Sequence, residues 1–142
     1  MHNSNWNFSG AVASELERSR EFVTDVINQL ENRKWPDTDV FGIRMALEEA
    51  IVNAIKHGNQ HDPVKSVHID CEIRGDRFRI DIRDEGVGFD PKCVPDCTAV
   101  ENLDKPSGRG VMLIKHYMTN VTYCENGTRV VMEKIRTEEA GE

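Results

Sequence analysis

The residues with the most chemistry to offer are Glu49, Asn53 and His57, which recur at every fourth position. On a helix that spacing sets them in one row along one flank. A carboxylate and an amide one turn apart at the edge of a buried face can be oriented by the core while still facing a ligand. By itself the row is a weak signal, because most Glu and Asn residues on helices simply face water. A second group is Asp84-Glu85-Gly86-Val87-Gly88. Gly86 and Gly88 let the backbone turn sharply and admit a ligand where a Cβ would otherwise stand. A carboxylate at the head of such a turn can accept a hydrogen bond from an exocyclic amine such as that of adenine. The third group is Ser107-Gly108-Arg109-Gly110. Where it opens a helix, its free N–H groups and the helix dipole suit a phosphate, with Lys105 or Arg109 adding charge. The bland alternatives are an Asp/Gly turn and a glycine-rich helix start. No Gly-Lys-Ser/Thr follows a strand, so the P-loop route to phosphate binding is excluded.

These groups must be held by regular elements, and hydrophobic periodicity supplies them. Ser14 and Glu17 have capping-box spacing, and Leu16, Val23, Val26, Ile27 and Leu30 recur at helical intervals up to Trp35-Pro36. They predict a helix of about four to five turns. Pro36 suits the start of a second helix, whose stripe is Val40, Ile43, Leu47, Ala50, Ile51 and Ala54, with Gly58 as the stop. Glu49 and Asn53 lie beside that stripe, and Glu48 falls on its other flank. Val67, Ile69, Cys71 and Ile73, then Phe78, Ile80 and Ile82, alternate with polar residues around Arg74-Gly75-Asp76, which predicts a hairpin. Val111 to Met118 reads as a short third helix, and a second hairpin turns at Asn126-Gly127. A short edge strand near Trp6 to Phe8 precedes them. The segment from Asp84 to Gly110 is about 25 residues long, beyond an ordinary connection, and is either functional or disordered. The expected fold is α+β, a two-layer sandwich of about three helices on one mixed, mostly antiparallel sheet. One domain spans 5–136, with frayed ends at 1–4 and 137–142.

Composition narrows the function classes. A chain of 142 residues, 38% hydrophobic, can build one core but hardly two. A net charge of -7, from 18 basic and 25 acidic residues, argues against a surface made for nucleic-acid phosphates and for a protein or small-molecule partner. No apolar run is long enough to span a bilayer, and Met1 to Gly10 lacks a signal-peptide pattern, which predicts a cytoplasmic protein away from membranes. Cys71, Cys93, Cys97 and Cys124 are too irregular for a disulfide framework, and the Cys93/Cys97 pair lacks a second pair to complete a zinc site.

Taken together and in this order, the three groups are far more specific. Glu49-Ala50-Ile51-Val52-Asn53-Ala54-Ile55-Lys56-His57-Gly58 resembles the N box of the GHKL ATPases, which share the Bergerat fold. Asp84 to Gly88 resembles their first glycine box, and Gly108-Arg109-Gly110 their second. The resemblance spans nearly the whole chain. It implies ATP between helices and sheet, Mg²⁺ reaching the protein through Asn53, and the adenine amine on Asp84. Gly127-Thr128 resembles the family's sequence near adenine, which adds Thr128. His57, Gly86, Gly88, Lys105, Ser107, Gly108, Arg109 and Gly110 complete the implied nucleotide contacts.

Within the superfamily, the length, the helix before the N box and Asn59 after His57-Gly58 resemble the anti-sigma-factor serine kinases. That resemblance implies a domain that binds a sigma factor and phosphorylates a Ser or Thr on an antagonist protein, and that often forms homodimers. Glu49 is then the general base, and Phe89 to Ser107 a lid over the nucleotide. One departure bears on catalysis: Pro106 stands where such kinases often carry an Arg, and a Lys such as Lys105 lacks its planar fork. Two alternatives stay open. One is a partner-switch module that binds ATP without transferring phosphate. The other is a histidine-kinase-like ATPase domain, against which stands the short stretch before the N-box helix, whose sole His is His2.

Overall fold

The computed structural model describes residues 5–59, 62, 64–86, 108–124 and 128–137, with backbone alone at 57 and 108–111. Strand β1 (Trp6–Ala13) leads into helix α1 (Leu16–Asn32) and helix α2 (Asp37–Asn53). The last turn of α2 widens into a π-helical turn over Ala54–Gly58. Hairpin β2 (Ser66–Arg74) and β3 (Arg77–Arg83) follows, then helix α3 (Gly108–Tyr117) and strands β4 (Asn120–Cys124) and β5 (Arg129–Ile135). The sheet order is β1-β2-β3-β5-β4. All the described pairings are antiparallel, so the parallel component of the expected mixed sheet is absent among the described strands. The edge strand expected near Trp6 to Phe8 runs for 8 residues, in register from Trp6↔Ile73 to Ala13↔Ser66.

The alternation on β2 and β3 puts Val67, Ile69, Cys71, Ile73, Phe78, Ile80 and Ile82 on one face, each nearly or fully buried. The helical stripe of α2, Ile43, Ala46, Leu47, Ala50 and Ile51, and that of α1, Val23, Val26, Ile27 and Leu30, cover them. The opposite face of the sheet is a ladder of charges. There Arg129 makes a two-pronged contact with Asp81 and Arg77 pairs with Glu133. The helices therefore form a single layer, as a sheet with one apolar face requires. Helix α3 packs on α2, where the missing side chain of Gly42 lets Tyr117 close in: a Cβ there would stand 3.0 Å from the Tyr117 ring.

One local expectation changes. The helix α1 has Glu15, not Ser14, at its N-cap and no side-chain capping bond; the Ser14 hydroxyl instead accepts a hydrogen bond from Asn59 at 2.8 Å. At its other end Trp35 N–H bonds to Leu30 O and Lys34 N–H to Glu31 O, the Schellman pattern, with Lys34 at φ 64 where glycine is usual. Arg136 braces this corner. Its guanidinium donates to the carbonyls of Arg33 and Lys34 and lies 5.8 Å from the Trp35 ring centre.

Candidate functional site

The N-box helix supplies the first part of the site. Ala50 and Ile51 are buried, whereas Glu49 and Asn53 are half-buried at the stripe's edge, and Glu48 points out beside Arg44. Tyr123 on β4 faces this flank. Burial first, and then the negative charge of Glu49, push its hydroxyl up to about 12. The π-helical turn then shifts the register of the helix end, and Gly58 closes it.

The second part arrives from the sheet. At the end of β3, Asp84 N–H donates to Thr128 O at 2.8 Å, which continues the β3–β5 pairing by one residue. The Asp84 Oδ1 accepts the Gly86 N–H at 2.8 Å. Among the described residues its Oδ2 accepts no hydrogen bond. Burial raises the pKa of this carboxyl, with partial offsets from the Gly86 N–H and the positive charge of Lys65. The carboxylate lies directly against Gly58, and a Cβ on Gly58 would stand 2.3 Å from it. A Cβ on Gly86 would in turn fall 2.0 Å from the Gly58 carbonyl oxygen. Both glycines are required by close backbone approach rather than by a left-handed φ.

The structure thus brings Asp84, Gly86 and Thr128 to the end of the helix that carries Glu49 and Asn53. By helical rise Asn53 and Glu49 lie roughly 8 and 14 Å back along the axis from Gly58. Gly108, Arg109 and Gly110 form the first turn of α3, on the helix packed against α2. Gly88, Lys105, Ser107, Pro106, Cys93, Cys97 and the expected lid from Phe89 to Ser107 lie outside the described residues. Side-chain positions of His57 and Arg109 also lie outside them.

Sequence reasoning left two residues of this site without a structural role. Gly58 reads as a helix stop, yet its contact with Asp84 joins segments far apart in the chain. Asn59 enters only through a family likeness, yet it is fully buried and bonds to three segments. The only local signal for it is an Asn directly after a helix-ending Gly.

Comparison with known proteins places the chain in a family. Residues 12–134 match the family described as the histidine kinase-like ATPase domain. The chain belongs to this family. It is 35% identical over 131 residues to an anti-sigma F factor of Oceanobacillus iheyensis, covering 87% of each chain. It is 33% identical over 104 residues to the serine-protein kinase RsbW of Staphylococcus aureus, covering 68% of this chain and 65% of that one. Among solved structures, the RsbU and RsbW domains of a Mycobacterium tuberculosis protein superpose with a TM-score of 0.65 at 14% identity. The match covers 95% of this chain and 34% of that longer one, and it shows a shared fold.

Proposed function

We propose that the chain is an ATP-dependent protein serine kinase that acts as an anti-sigma factor, binding a sigma factor and phosphorylating a serine on an antagonist protein. The observation that carries the reading is Asp84, a carboxylate half-buried against Gly58 with only Oδ1 hydrogen-bonded among the described residues, at the end of the Glu49/Asn53 helix. The names of the relatives, an anti-sigma F factor and a serine-protein kinase, support it. The donor set suits a nucleotide. Asp84 accepts from the adenine amine, with Thr128 beside it, and the helix runs back from there toward Asn53 and Glu49 as a nucleotide runs from base to phosphates. Among the described residues no cluster of three or more His, Cys, Asp or Glu side chains can hold a metal. A Mg²⁺ here takes most of its ligands from phosphate and water, and Asn53 offers it one amide oxygen.

Bound ATP with Mg²⁺ supplies the phosphoryl group and offsets its charge. Glu49 accepts the proton of the attacking serine hydroxyl. The first turn of α3, which contains Arg109 and follows Lys105 and Ser107 in the sequence, together with His57 at the end of the N-box helix, is the proposed phosphate side. Homodimerisation and a cytoplasmic location belong to the same reading; among the described residues no helix is long and apolar enough to cross a membrane. The test is incubation of the full chain with ATP labelled at its terminal phosphate, Mg²⁺ and candidate antagonist proteins. Label on an antagonist serine is the expected result. ATP-dependent binding without label overturns the kinase reading in favour of a nucleotide-gated module.

A further inference from the structure

Asn59 is fully buried, and its whole carboxamide is engaged. Its Nδ2 donates to Ser14 Oγ at 2.8 Å and to Ser66 O at 2.9 Å. Its Oδ1 accepts the backbone N–H of Glu85 at 2.6 Å. Its own N–H closes the π-helical turn on Ala54 O. One side chain therefore ties together the β1–α1 link, the end of the N-box helix, the start of β2 and the residue next to Asp84. Glu85 is tied a second time, since its Oε2 accepts from Ser66 N–H and contacts His68 Nε2 at 2.8 Å.

The Asp84 carboxylate is held directly by the Gly86 N–H on Oδ1 and by its contact with Gly58. Gly86 sits in a stretch whose glycines add backbone freedom, so the direction of that hold depends on how the neighbouring backbone is fixed. The Thr128 bond secures the backbone of Asp84 on one side, and the Asn59–Glu85 bond secures it on the other. We propose that Asn59 is a positioning residue for base recognition: by holding Glu85 N–H it aims the Asp84 carboxylate and so sets the preference for an amine-bearing purine. It touches no nucleotide itself. This rests on the nucleotide reading above.

The experiment is calorimetric titration of the full chain with ATP and with inosine triphosphate, which carries a carbonyl where adenine has its amine. The parent prefers ATP. Asn59→Ala should weaken ATP binding about tenfold while inosine triphosphate binding changes less than about twofold, so the preference collapses. Asn59→Asp, which keeps the acceptor for Glu85 N–H, should retain more of the preference than Asn59→Ala. Equal weakening of both nucleotides, or of neither, makes Asn59 a purely structural residue and overturns the proposal. A parent without preference for ATP overturns the nucleotide reading itself, a distinct outcome. Should Asn59→Ala fail to fold, the milder Ser14→Ala, which removes one anchor of Nδ2, decides. A fall of about threefold in preference supports the proposal, and an unchanged preference overturns it.

Discussion

The two ends of β3 are each closed by a buried polar residue from a helix or its end, and the two closures differ in kind. At the Arg77 end, Asp39 of α2 is 3% exposed and both its oxygens are engaged, by Thr137 N–H at 2.8 Å and the Thr137 hydroxyl at 2.7 Å. Lys134 Nζ stands 3.8 Å away. At the Arg83 end, Asn59 is equally saturated, but the acid beside it is not. Asp84 is desolvated enough for its pKa to rise, yet among the described residues only its Oδ1 is bonded. A buried acid that serves the fold is satisfied by its own chain. One partly desolvated with an oxygen unbonded among the described residues is a candidate for a ligand. The contrast sets a structural corner against the corner proposed to hold the nucleotide.

That contrast can be broken by mutation. The largest effect is expected at the working end. Glu49→Ala should slow phosphate transfer by about 10² to 10⁴ and leave ATP binding in place; single-turnover kinetics with labelled ATP measures it. Next is the structural end. Asp39→Ala leaves two Thr137 donors and a lysine without their acceptor and should cost about 2–4 kcal/mol of stability in urea unfolding. Transfer per folded molecule should not change. If Asp39→Ala instead impaired ATP binding at full folding, the division between the two ends would fail.

At the working end, Gly58→Ala forces a Cβ into the Asp84 carboxylate and should displace it, weakening ATP binding by about 1–3 kcal/mol in calorimetry. Asp84→Asn sharpens the comparison because its two effects have opposite sign. ATP binding should fall by a similar amount, since the amide mismatches the base's amine. The unliganded fold should gain. Burial holds the folded-state pKa of Asp84 above that of an unfolded aspartate, so its contribution to stability is present below the unfolded value and is lost as pH rises through the folded one. Replacement with Asn removes the loss. The variant's advantage in stability should therefore be absent in acid and grow toward neutral pH, as thermal melts across that range would show. The smallest effect is at the structural corner: Lys34→Gly relieves a left-handed φ and should raise stability by about 1 kcal/mol, with ATP affinity unchanged.

What could be read from the sequence follows from how local each cause is. The stripes of α1 and α2 and the alternation of β2 and β3 are legible because burial follows the element's own period. So are Glu49, Asn53 and Asp84, which sit in recognisable order. The length of β1 was hidden, since Gly10 and the alanines blur its alternation and only pairing with β2 defines it. Ser14 was misread as a helix cap because Glu17 is near in sequence, whereas its partner Asn59 is reached only after folding. The role of Gly58 is equally remote, resting on an aspartate from the far end of a hairpin. Asp39 in the first turn of α2 looks like an acid paired with the helix dipole; its service to Thr137 needs the completed sheet.

The most direct measurement is a backbone NMR titration of the full chain with ATP and Mg²⁺. The account predicts that the amides of Asn53, Gly58, Asp84, Gly86 and Thr128 shift together and saturably, while Asp39, Trp35 and Thr137 stay still. Shifts gathered at the Asp39 corner, with the Asp84 end silent, would contradict it.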